Sequence, residues 1–267
     1  MVFVKQISRY CMSTALVHPL RHLRVLSLNM HKGLSPLNRK LIIHELSLAL
    51  QQEKPDLVFL QEVQGFHQHR ARRFEHWPSA GQADFIAESM AFRAVYGGNA
   101  YYTHGHHGNA ILSHLPITAW RNTDISHNRL EQRGILHAEL GGPSDVTGLH
   151  ALCVHLNLLA GGRRWQLKRL REEIERHVPP DAPLVVAGDF NDWRNDARQI
   201  LVEEFGLQEV FETLHGKPAR SFPARLPLMT LDRIYVRNLS VTAARIGQGH
   251  PWKQLSDHAP LMAELSY

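Results

Sequence analysis

Residues 184–192, Leu-Val-Val-Ala-Gly-Asp-Phe-Asn-Asp, decide the fold of this chain. The first four are apolar, and this short run predicts a buried strand that ends at Gly188. Asp189 and Asn191 follow two positions apart, so their side chains point to the same side of an extended backbone. A carboxylate can exchange a proton or hold a metal ion, and an amide can donate to an oxyanion. The pair suits phosphoryl chemistry, although Asp and Asn also form turns at strand ends.

The composition is that of a globular chain with a basic surface. The chain has 267 residues, of which 43% are hydrophobic and 21% charged, and its net charge is +5 with histidine neutral. A basic balance favours anionic partners such as phosphates, nucleic acid or anionic lipid. No apolar stretch approaches the ~20 residues that a membrane span requires. The only cysteines are Cys11 and Cys153, without the spacing of a zinc site. This usage predicts no disulfide scaffold and a reducing, cytoplasmic setting.

Strand and helix patterns mix along the whole chain after residue 21. Apolar alternation or short apolar runs predict strands, and helical spacing of apolar residues predicts helices. The main predicted elements are strands at 23–29, 57–60, 147–157 and 231–236, and helices at 37–53, 162–177 and 197–205. Residues 63–94 are expected to hold helix and surface loop. We expect one domain over residues 22–267, preceded by a loosely ordered extension over residues 1–21. Hairpin-like neighbours favour a layered α/β or α+β sandwich over a purely parallel sheet.

Polar residues follow the predicted strands at their ends. They are Asn29, Glu62, His155 with Asn157, Asp189 with Asn191, and Asp257 with His258, and Asp232 lies within a further strand. Alternation places Asp232 on the opposite face from Leu231 and Arg233. Each residue has a structural alternative: Asn29 could form a turn, Glu62 could be a first-turn helix acid, His155 a core histidine, Asp232 an ion-pair partner of Arg233 or Arg237, and Asp257 an N-cap. The combination is nevertheless unusual, because polar residues are depleted at buried strand ends.

This set of side chains suits metal-assisted hydrolysis of a phosphate ester. Asn29, Glu62 and Asp257 offer the oxygen ligands that a hard cation such as Mg²⁺ or Mn²⁺ prefers. Either His258 or Asp189 could deprotonate the attacking water. The same chemistry needs donors to the phosphoryl oxygens as negative charge builds there, and Asn191 and His155 could supply them.

Seven short sequence motifs indicate which known family the chain resembles. They are Leu28-Asn29, Leu60-Gln61-Glu62-Val63, Gly108-Asn109-Ala110-Ile111-Leu112-Ser113, Val154-His155-Leu156, Gly188-Asp189-Phe190-Asn191, Leu231-Asp232-Arg233-Ile234 and Ser256-Asp257-His258-Ala259-Pro260-Leu261. In this order they resemble the endonuclease/exonuclease/phosphatase superfamily, over roughly residues 23–266, and most of all its small bacterial members. The resemblance implies a four-layer sandwich like that of deoxyribonuclease I, with two mixed β-sheets face to face and helices outside.

The resemblance also implies a role for each polar residue in a divalent-metal-dependent phosphodiesterase. The metal-site residues would be Asn29, Glu62 and Asp257, with Mg²⁺ or Mn²⁺ as the ion. The catalytic residues would be His258, Asp232 that orients it, Asp189 that activates water or protonates the leaving group, and Asn191 and His155 that donate to the transition state. Members of the superfamily differ in which residue acts as the base, so Asp189 and His258 both stay candidates.

The substrate is open to more than one interpretation. Abasic-site endonucleases of the superfamily carry a tyrosine where this chain has His106, and a lysine where it has Gln64, which argues against abasic-site specificity. The first hypothesis is a phosphodiesterase or endonuclease acting on nucleic acid. In it Arg163 and Arg164 grip the phosphate backbone, and His106 and Asn109 face the substrate. The two arginines could equally form a solvated helix face.

Two alternatives remain. The same chemistry could act on a phospholipid or a small phosphoester, for which the short apolar loop at residues 222–228 is the candidate contact. A binding protein that has lost activity is disfavoured, because none of the expected catalytic residue types is missing. In each case we expect a monomer whose partner is a phosphoester.

Overall fold

The computed structural model describes residues 22–141 and 148–267. The predicted N-terminal extension, residues 1–21, lies outside the described residues, as do residues 142–147. The strands are β1 (His22–Asn29), β2 (Leu57–His67), β3 (Arg93–Tyr102), β4 (Gly105–Ser113), β5 (Ile117–Asp124), β6 (Gly134–Leu140), β7 (Leu149–His155), β8 (Leu184–Asp189), β9 (Gln208–Glu209), β10 (Asp232–Arg237), β11 (Ser240–Ile246) and β12 (Leu261–Ser266). The α-helices are α1 (Ile43–Glu53), α2 (Gln68–Arg73), α3 (Gln82–Met90), α4 (Ala160–His177), α5 (Val210–His215) and α6 (Trp252–Leu255). A 3₁₀ turn spans His31–Gly33, and a π-helix spans Arg198–Glu203.

The strands form two six-stranded sheets. The first has the order β11-β12-β1-β2-β4-β3, and the second has the order β5-β6-β7-β8-β10-β9. The pairs β1–β2 and β7–β8 are parallel, and the other pairs are antiparallel. Both sheets are therefore mixed, as predicted.

Alternation along the strands builds the layers. In β8, Val185 and Ala187 point into the core between the two sheets, whereas Leu184 and Val186 point outward to the core beneath α4. Residues of α1 and α3 cover the outer face of the first sheet, and residues of α4 and the π-helix cover the outer face of the second. The order helix, sheet, sheet, helix confirms the predicted four-layer sandwich.

Two elements differ from their predictions. The helix predicted from residue 37 begins only at Ile43, because Leu34 and Leu41 form an isolated antiparallel bridge and close the residues between them into a loop. Strand β2 continues to His67, through residues that were predicted to form helix and loop. Its polar end is a strand because it pairs with β4, and apolar alternation cannot reveal such a partner. No helix among the described residues is both long enough and apolar enough to cross a membrane.

Both sheets end at the same edge with polar side chains on their inner faces. In the second sheet, His155 lies beside Asp189 in the parallel register, and Asp232 lies opposite Asp189 in the antiparallel register. In the first sheet, β1 ends at Asn29, whose side-chain amide donates to the carboxylate of Asp189 across the sandwich, at 3.1 Å. The edge where the two inner faces meet is the position of the candidate site.

Candidate active site

The side chain of Glu62 is aimed into the site by a bulge. The pairing of β2 with β4 changes register between Leu60 and Val63, and Glu62 has a left-handed φ of 55°. Such bulges redirect a side chain, and left-handed non-glycine residues cluster at functional sites. Glu62 is thus part of a bulged strand and not a first-turn helix acid. Its Oε2 lies 2.6 Å from Nζ of Lys32. Burial alone would raise the pKa of Glu62, but the charge and the hydrogen bond of Lys32 lower it far below its usual range.

Asn29 and Asp257 both contact His31, which lies in the 3₁₀ turn that follows β1. The Oδ1 of Asn29 accepts the backbone N–H of His31 at 3.1 Å, and Oδ1 of Asp257 lies 3.3 Å from Nδ1 of His31. Burial would raise the pKa of Asp257, but the hydrogen bond with His31 and the charge of His258 lower it. Asp257 follows α6 and precedes β12, so it does not cap a helix N-terminus.

The oxygen donors of this side of the site fit a hard divalent cation. Glu62 and Asp257 are both held in the ionised form, and the charge of Glu62 opposes the ionisation of Asp257. Nζ of Lys32 lies 2.6 Å from Glu62, and Nδ1 of His31 lies 3.3 Å from Asp257. A doubly charged ion would balance the same carboxylates, with the amide oxygen of Asn29 as a third donor. The residues present therefore match Mg²⁺ or Mn²⁺.

Asp232 and His258 form a buried pair in the second half of the site. Nδ1 of His258 lies 2.9 Å from Oδ2 of Asp232, and the hydroxyl of Ser221 donates to the same oxygen. Asp232 therefore pairs with His258 and not with Arg233 or Arg237. Burial alone would lower the pKa of His258, but the carboxylates of Asp232 and Asp189 raise it to about 10. The ring is then an imidazolium at neutral pH, with no lone pair to accept a proton or to hold a metal ion.

Asp189 stands at the centre of the site. Its Oδ1 accepts the backbone N–H of Asn191 at 2.9 Å, and its Oδ2 lies 3.4 Å from Nε2 of His155 and 3.9 Å from Nε2 of His258. Burial raises the pKa of Asp189 to about 7, with the charge of Asp232 adding to the effect and that of His258 opposing it. Asp189 can therefore exchange a proton near neutral pH.

The residue before Asp189 has to be a glycine. Gly188 has a φ of +151°, and a Cβ at this position would lie 1.9 Å from the carbonyl oxygen of Val154. Any side chain here would force β7 and β8 apart. This close approach brings His155 and Asp189 together at the ends of the two strands.

Asn191 and His155 flank Asp189. Asn191 has a left-handed φ of 50°, and its side-chain amide donates to the carbonyl oxygen of Leu156 at 2.9 Å. This bond orients the amide at the floor of the cavity. Burial lowers the pKa of His155 well below its usual value, and the charge of Arg133 adds to the effect. His155 is therefore a neutral imidazole that can donate one N–H.

The cavity wall also carries a cationic side chain, Arg133, that the sequence did not predict. Arg133 lines the same cavity as Glu62 and Asp189, and its side chain is largely buried. Its Nη2 lies 3.2 Å from Glu131, and its Nε lies 3.4 Å from the carbonyl oxygen of Leu156. A guanidinium held in this way can face a phosphate. It precedes β6 in a loop without any motif, so no signal in the sequence marks it.

Asn109 does not face a substrate. Its side chain is buried, and its amide donates to the carbonyl oxygens of Gly134 at 3.1 Å and Cys153 at 3.3 Å. These bonds tie β4 of the first sheet to β6 and β7 of the second. The prediction that Asn109 contacts substrate is wrong because both of its N–H donors hold the sandwich together.

His106 lies on the hairpin of β3 and β4. Its Nδ1 lies 2.9 Å from the hydroxyl of Tyr96, and its ring stacks on that of Tyr101 with the centroids 5.1 Å apart. Burial lowers its pKa, so the ring is neutral at pH 7. His106 belongs to an aromatic surface beside the site and stays a candidate for substrate contact.

Arg163 is an interior residue, which corrects its predicted contact with substrate. Its guanidinium has no exposed surface, and it lies 3.4 Å from Asp192 and 3.2 Å from Asp196. It also donates to the carbonyl oxygen of Leu158 at 2.8 Å. Arg163 thus joins the loop after β8 to the loop before α4, and both loops border the cavity. Arg164, the next residue on α4, is exposed.

We expect Arg163→Ala to lower the free energy of unfolding by about 3–5 kcal/mol, because it leaves the fully buried carboxylate of Asp192 without its partner. The matched change Arg164→Ala should alter it by less than ~0.5 kcal/mol, as is usual for an exposed residue. Urea unfolding of the two variants measures the difference. Equal, small losses in both would show that Arg163 is not a structural ion-pair residue.

Comparisons with known proteins agree with this geometry. The model of the Endonuclease/Exonuclease/phosphatase family matches residues 26–258. A protein of Escherichia coli (strain K12), named only as uncharacterized protein YbhP, is 43% identical over 242 residues, which are 91% of this chain and 95% of that protein.

Two solved structures are examples of proteins with a similar fold. D. rerio TDP2 complexed with single-strand DNA product has a TM-score of 0.67 and 17% identity, over 92% of this chain and 99% of that one. The mannosyl-6-phosphatase of Bacteroides thetaiotaomicron VPI-5482 has a TM-score of 0.65 and 15% identity, over 92% of this chain and 100% of that one.

Proposed function

The chain belongs to the endonuclease/exonuclease/phosphatase family, and from that premise we propose that it is a divalent-metal-dependent phosphodiesterase acting on nucleic acid. One observation carries the proposal: a buried carboxylate of raised pKa, Asp189, lies between the Asp232–His258 pair and the oxygen donors around Glu62. A proton acceptor beside a cation site is the arrangement that water-driven cleavage of a phosphate ester requires. We further propose that residues 22–267 act as one monomeric domain in the cytoplasm.

The proposed reaction is an attack of water on phosphorus. Asp189 takes the proton of the water as the new O–P bond forms, and the ester oxygen leaves with a proton from solvent as its bond to phosphorus breaks. When bound, Mg²⁺ or Mn²⁺ polarises the phosphoryl group and offsets its negative charge. Asn29, Glu62 and Asp257 would hold the ion.

The other residues would act on the charge that builds on the phosphoryl oxygens. The Nε2–H of His258 donates to these oxygens, because its Nδ1–H already donates to Asp232. Asn191 and His155 donate from the floor of the cavity, and Arg133 supplies a positive charge from its wall. In this account Asp189 is the base, and His258 is a charged donor.

A surface of exposed aromatic rings supports nucleic acid as the substrate. Phe66 is 55% exposed on β2, the strand of Glu62, and Tyr101 is 64% exposed on β3, at the edge of the same sheet. The rings of His69 and His104 stack on each other nearby, with the centroids 3.8 Å apart. Bases of a single strand stack on such rings irrespective of sequence. We call residues Phe66, His69, Tyr101, Tyr102, His104 and His106 the aromatic platform.

An apolar rim on the other side of the cavity supports the second candidate, a phospholipid or small phosphoester. Leu158, Leu159 and Trp193 are 53%, 74% and 41% exposed, and the first and third line the cavity itself. Exposed apolar groups beside a polar site suit an acyl chain or another apolar substituent. The residues of the 222–228 loop, with Leu226 and Leu228 exposed, would extend this rim.

A substrate panel with purified protein and Mg²⁺ or Mn²⁺ tests the assignment. It includes plasmid, single-stranded DNA, abasic DNA, RNA, sphingomyelin, phosphatidylinositol phosphates and bis-p-nitrophenyl phosphate. We expect cleavage of nucleic acid, with affinity that falls steeply as salt rises. Tyr101→Ala should raise KM for single-stranded DNA about tenfold, in line with the loss of one stacked base, and leave bis-p-nitrophenyl phosphate unaffected.

Leu159→Ser is the matched change on the apolar rim, and it should leave cleavage of DNA unchanged. Cleavage of sphingomyelin that depends on Leu159 and not on Tyr101 would replace nucleic acid by a lipid substrate. Hydrolysis of none of these compounds in the presence of either metal would overturn the proposed activity.

A further inference from the structure

Two histidines and two glutamates meet on the outer face of the second sheet. His137 and Glu139 lie on β6, His150 lies on β7, and Glu173 reaches them from α4. Nε2 of His137 is 2.9 Å from Nδ1 of His150. One donor atom from each of His137, His150 and Glu139 lies within 4.8 Å of the other two.

This cluster is separate from the candidate active site. His150 and His155 lie on the same strand, five residues apart, which is roughly 17 Å along an extended chain. They also point to opposite sides, since His150 shares its face with Leu152 of the outer core and His155 shares its face with Cys153 of the central core. No proposed catalytic residue contributes to the cluster.

We propose that His137, His150 and Glu139 form a second metal site, one that binds Zn²⁺ or a similar transition-metal ion. Two imidazole nitrogens and one carboxylate are a donor set typical of Zn²⁺, and they differ from the oxygen donors at the active site. In a tetrahedral zinc site two nitrogen ligands are about 3.3 Å apart. Small rotations of the two rings would give that distance, and water would supply the fourth ligand.

Glu173 provides an independent reason to expect a metal here. Its Oε1 lies 3.6 Å from Nδ1 of His137, and neither of these buried atoms has a hydrogen-bond partner among the described residues. Metal-bound histidines usually direct their second nitrogen to a carboxylate. Thr123 donates to the other oxygen of Glu173 at 3.1 Å, which fixes the position of the carboxylate. With its Nδ1–H toward Glu173, His137 presents the lone pair of Nε2 to His150.

Two nitrogens at 2.9 Å need a proton or a cation between them. Arg121 occupies one oxygen of Glu139 at 3.2 Å, which leaves the other oxygen as a ligand. The side chain of Glu139 is 35% exposed, so an ion can enter the site from solvent.

Binding of Co²⁺ gives a direct test, because a four-coordinate site with nitrogen ligands gives intense visible absorption and an octahedral oxygen site absorbs weakly. We expect the full chain to show one equivalent of the intense band, which Zn²⁺ displaces. The band should disappear in His150→Gln, and Glu139→Gln should weaken Zn²⁺ binding at least tenfold in competition with a chelating dye. The exposed-histidine change His114→Gln is the control and should leave both unchanged.

Phosphoesterase activity with Mg²⁺ should be the same in Glu139→Gln as in the unmodified chain, because the two sites are independent. Circular dichroism of each variant verifies that it is folded. If His150→Gln fails to fold, the more accessible Glu139→Gln carries the test alone. Absence of the intense band in the unmodified chain, or its survival in both variants, would overturn the second metal site.

Discussion

Asp189→Asn is expected to lower kcat/KM for a phosphodiester by about 10³–10⁴-fold, the upper part of the range for general acid–base catalysis. The amide keeps the shape of the carboxylate and its contact with the backbone N–H of Asn191, but it cannot accept the proton of the attacking water. The pKa of Asp189 is raised to about 7, so the unmodified chain should lose activity as pH falls and the carboxylate is protonated. In the variant, kcat/KM should not show this decline at low pH.

Asn191→Ala is the matched change two residues away. It removes one donor to the transition state, which costs roughly 10²–10³ in rate at an oxyanion-hole position, and should leave the shape of the pH profile unchanged. Measurement of kcat/KM against pH for both variants separates the two roles. If Asn191→Ala reshapes the profile and Asp189→Asn only scales it, the assignment of the base is wrong.

Glu62→Gln is expected to have the second-largest effect. Removal of one negative ligand should weaken the hold on the ion, whose charge stabilisation is worth several kcal/mol in the transition state. At a fixed, low Mg²⁺ concentration the rate should fall by about 10²–10⁴-fold, since each 1.4 kcal/mol is worth tenfold. Higher Mg²⁺ should restore part of the loss. Lys32 loses its ion-pair partner in the same variant, so the fold is verified by circular dichroism.

Glu88→Gln, on the exposed face of α3, is the control for this change and should behave like the unmodified chain. Calorimetric titration with Mn²⁺ measures ion binding without any substrate. Equal Mn²⁺ affinity in Glu62→Gln and Glu88→Gln would remove Glu62 from the metal site.

The sequence predicted the strand-end residues because their positions depend on local rules. Alternation along each strand decides which face Asp189 and Asp232 occupy, and the parallel pairing of β7 with β8 brings His155 to the same edge. The order of the motifs then indicated the four-layer fold. The face that each side chain occupies follows from its own strand, and only the pairing of the strands required the fold.

The two corrected predictions about the site, those for Arg163 and Asn109, involve contacts between segments that are far apart in the chain. Arg163 has the spacing of an ordinary helix residue, and only the fold brings Asp192 and Asp196 to it. Likewise, Asn109 joins the two sheets because the fold places the carbonyl oxygens of Gly134 and Cys153 beside its side-chain amide. A side chain's burial depends on its neighbours in space, and a single sequence does not supply them.

The choice between Asp189 and His258 as the base was open for the same reason. A histidine in the sequence has a pKa near neutrality, which suits a base. Only the fold shows that two carboxylates face His258 and hold it protonated. On this ground we propose Asp189, and not His258, as the proton acceptor.

The most direct test of the account is the release of p-nitrophenolate from bis-p-nitrophenyl phosphate by purified protein, titrated with Mn²⁺ and then with EDTA. Asp189→Asn, purified in the same way, controls for contaminating nucleases. The account predicts a rate that rises with Mn²⁺, falls to background with EDTA, and is at background throughout in Asp189→Asn. A rate that is indifferent to EDTA, or that is equal in the two proteins, would contradict a metal-dependent hydrolase centred on Asp189.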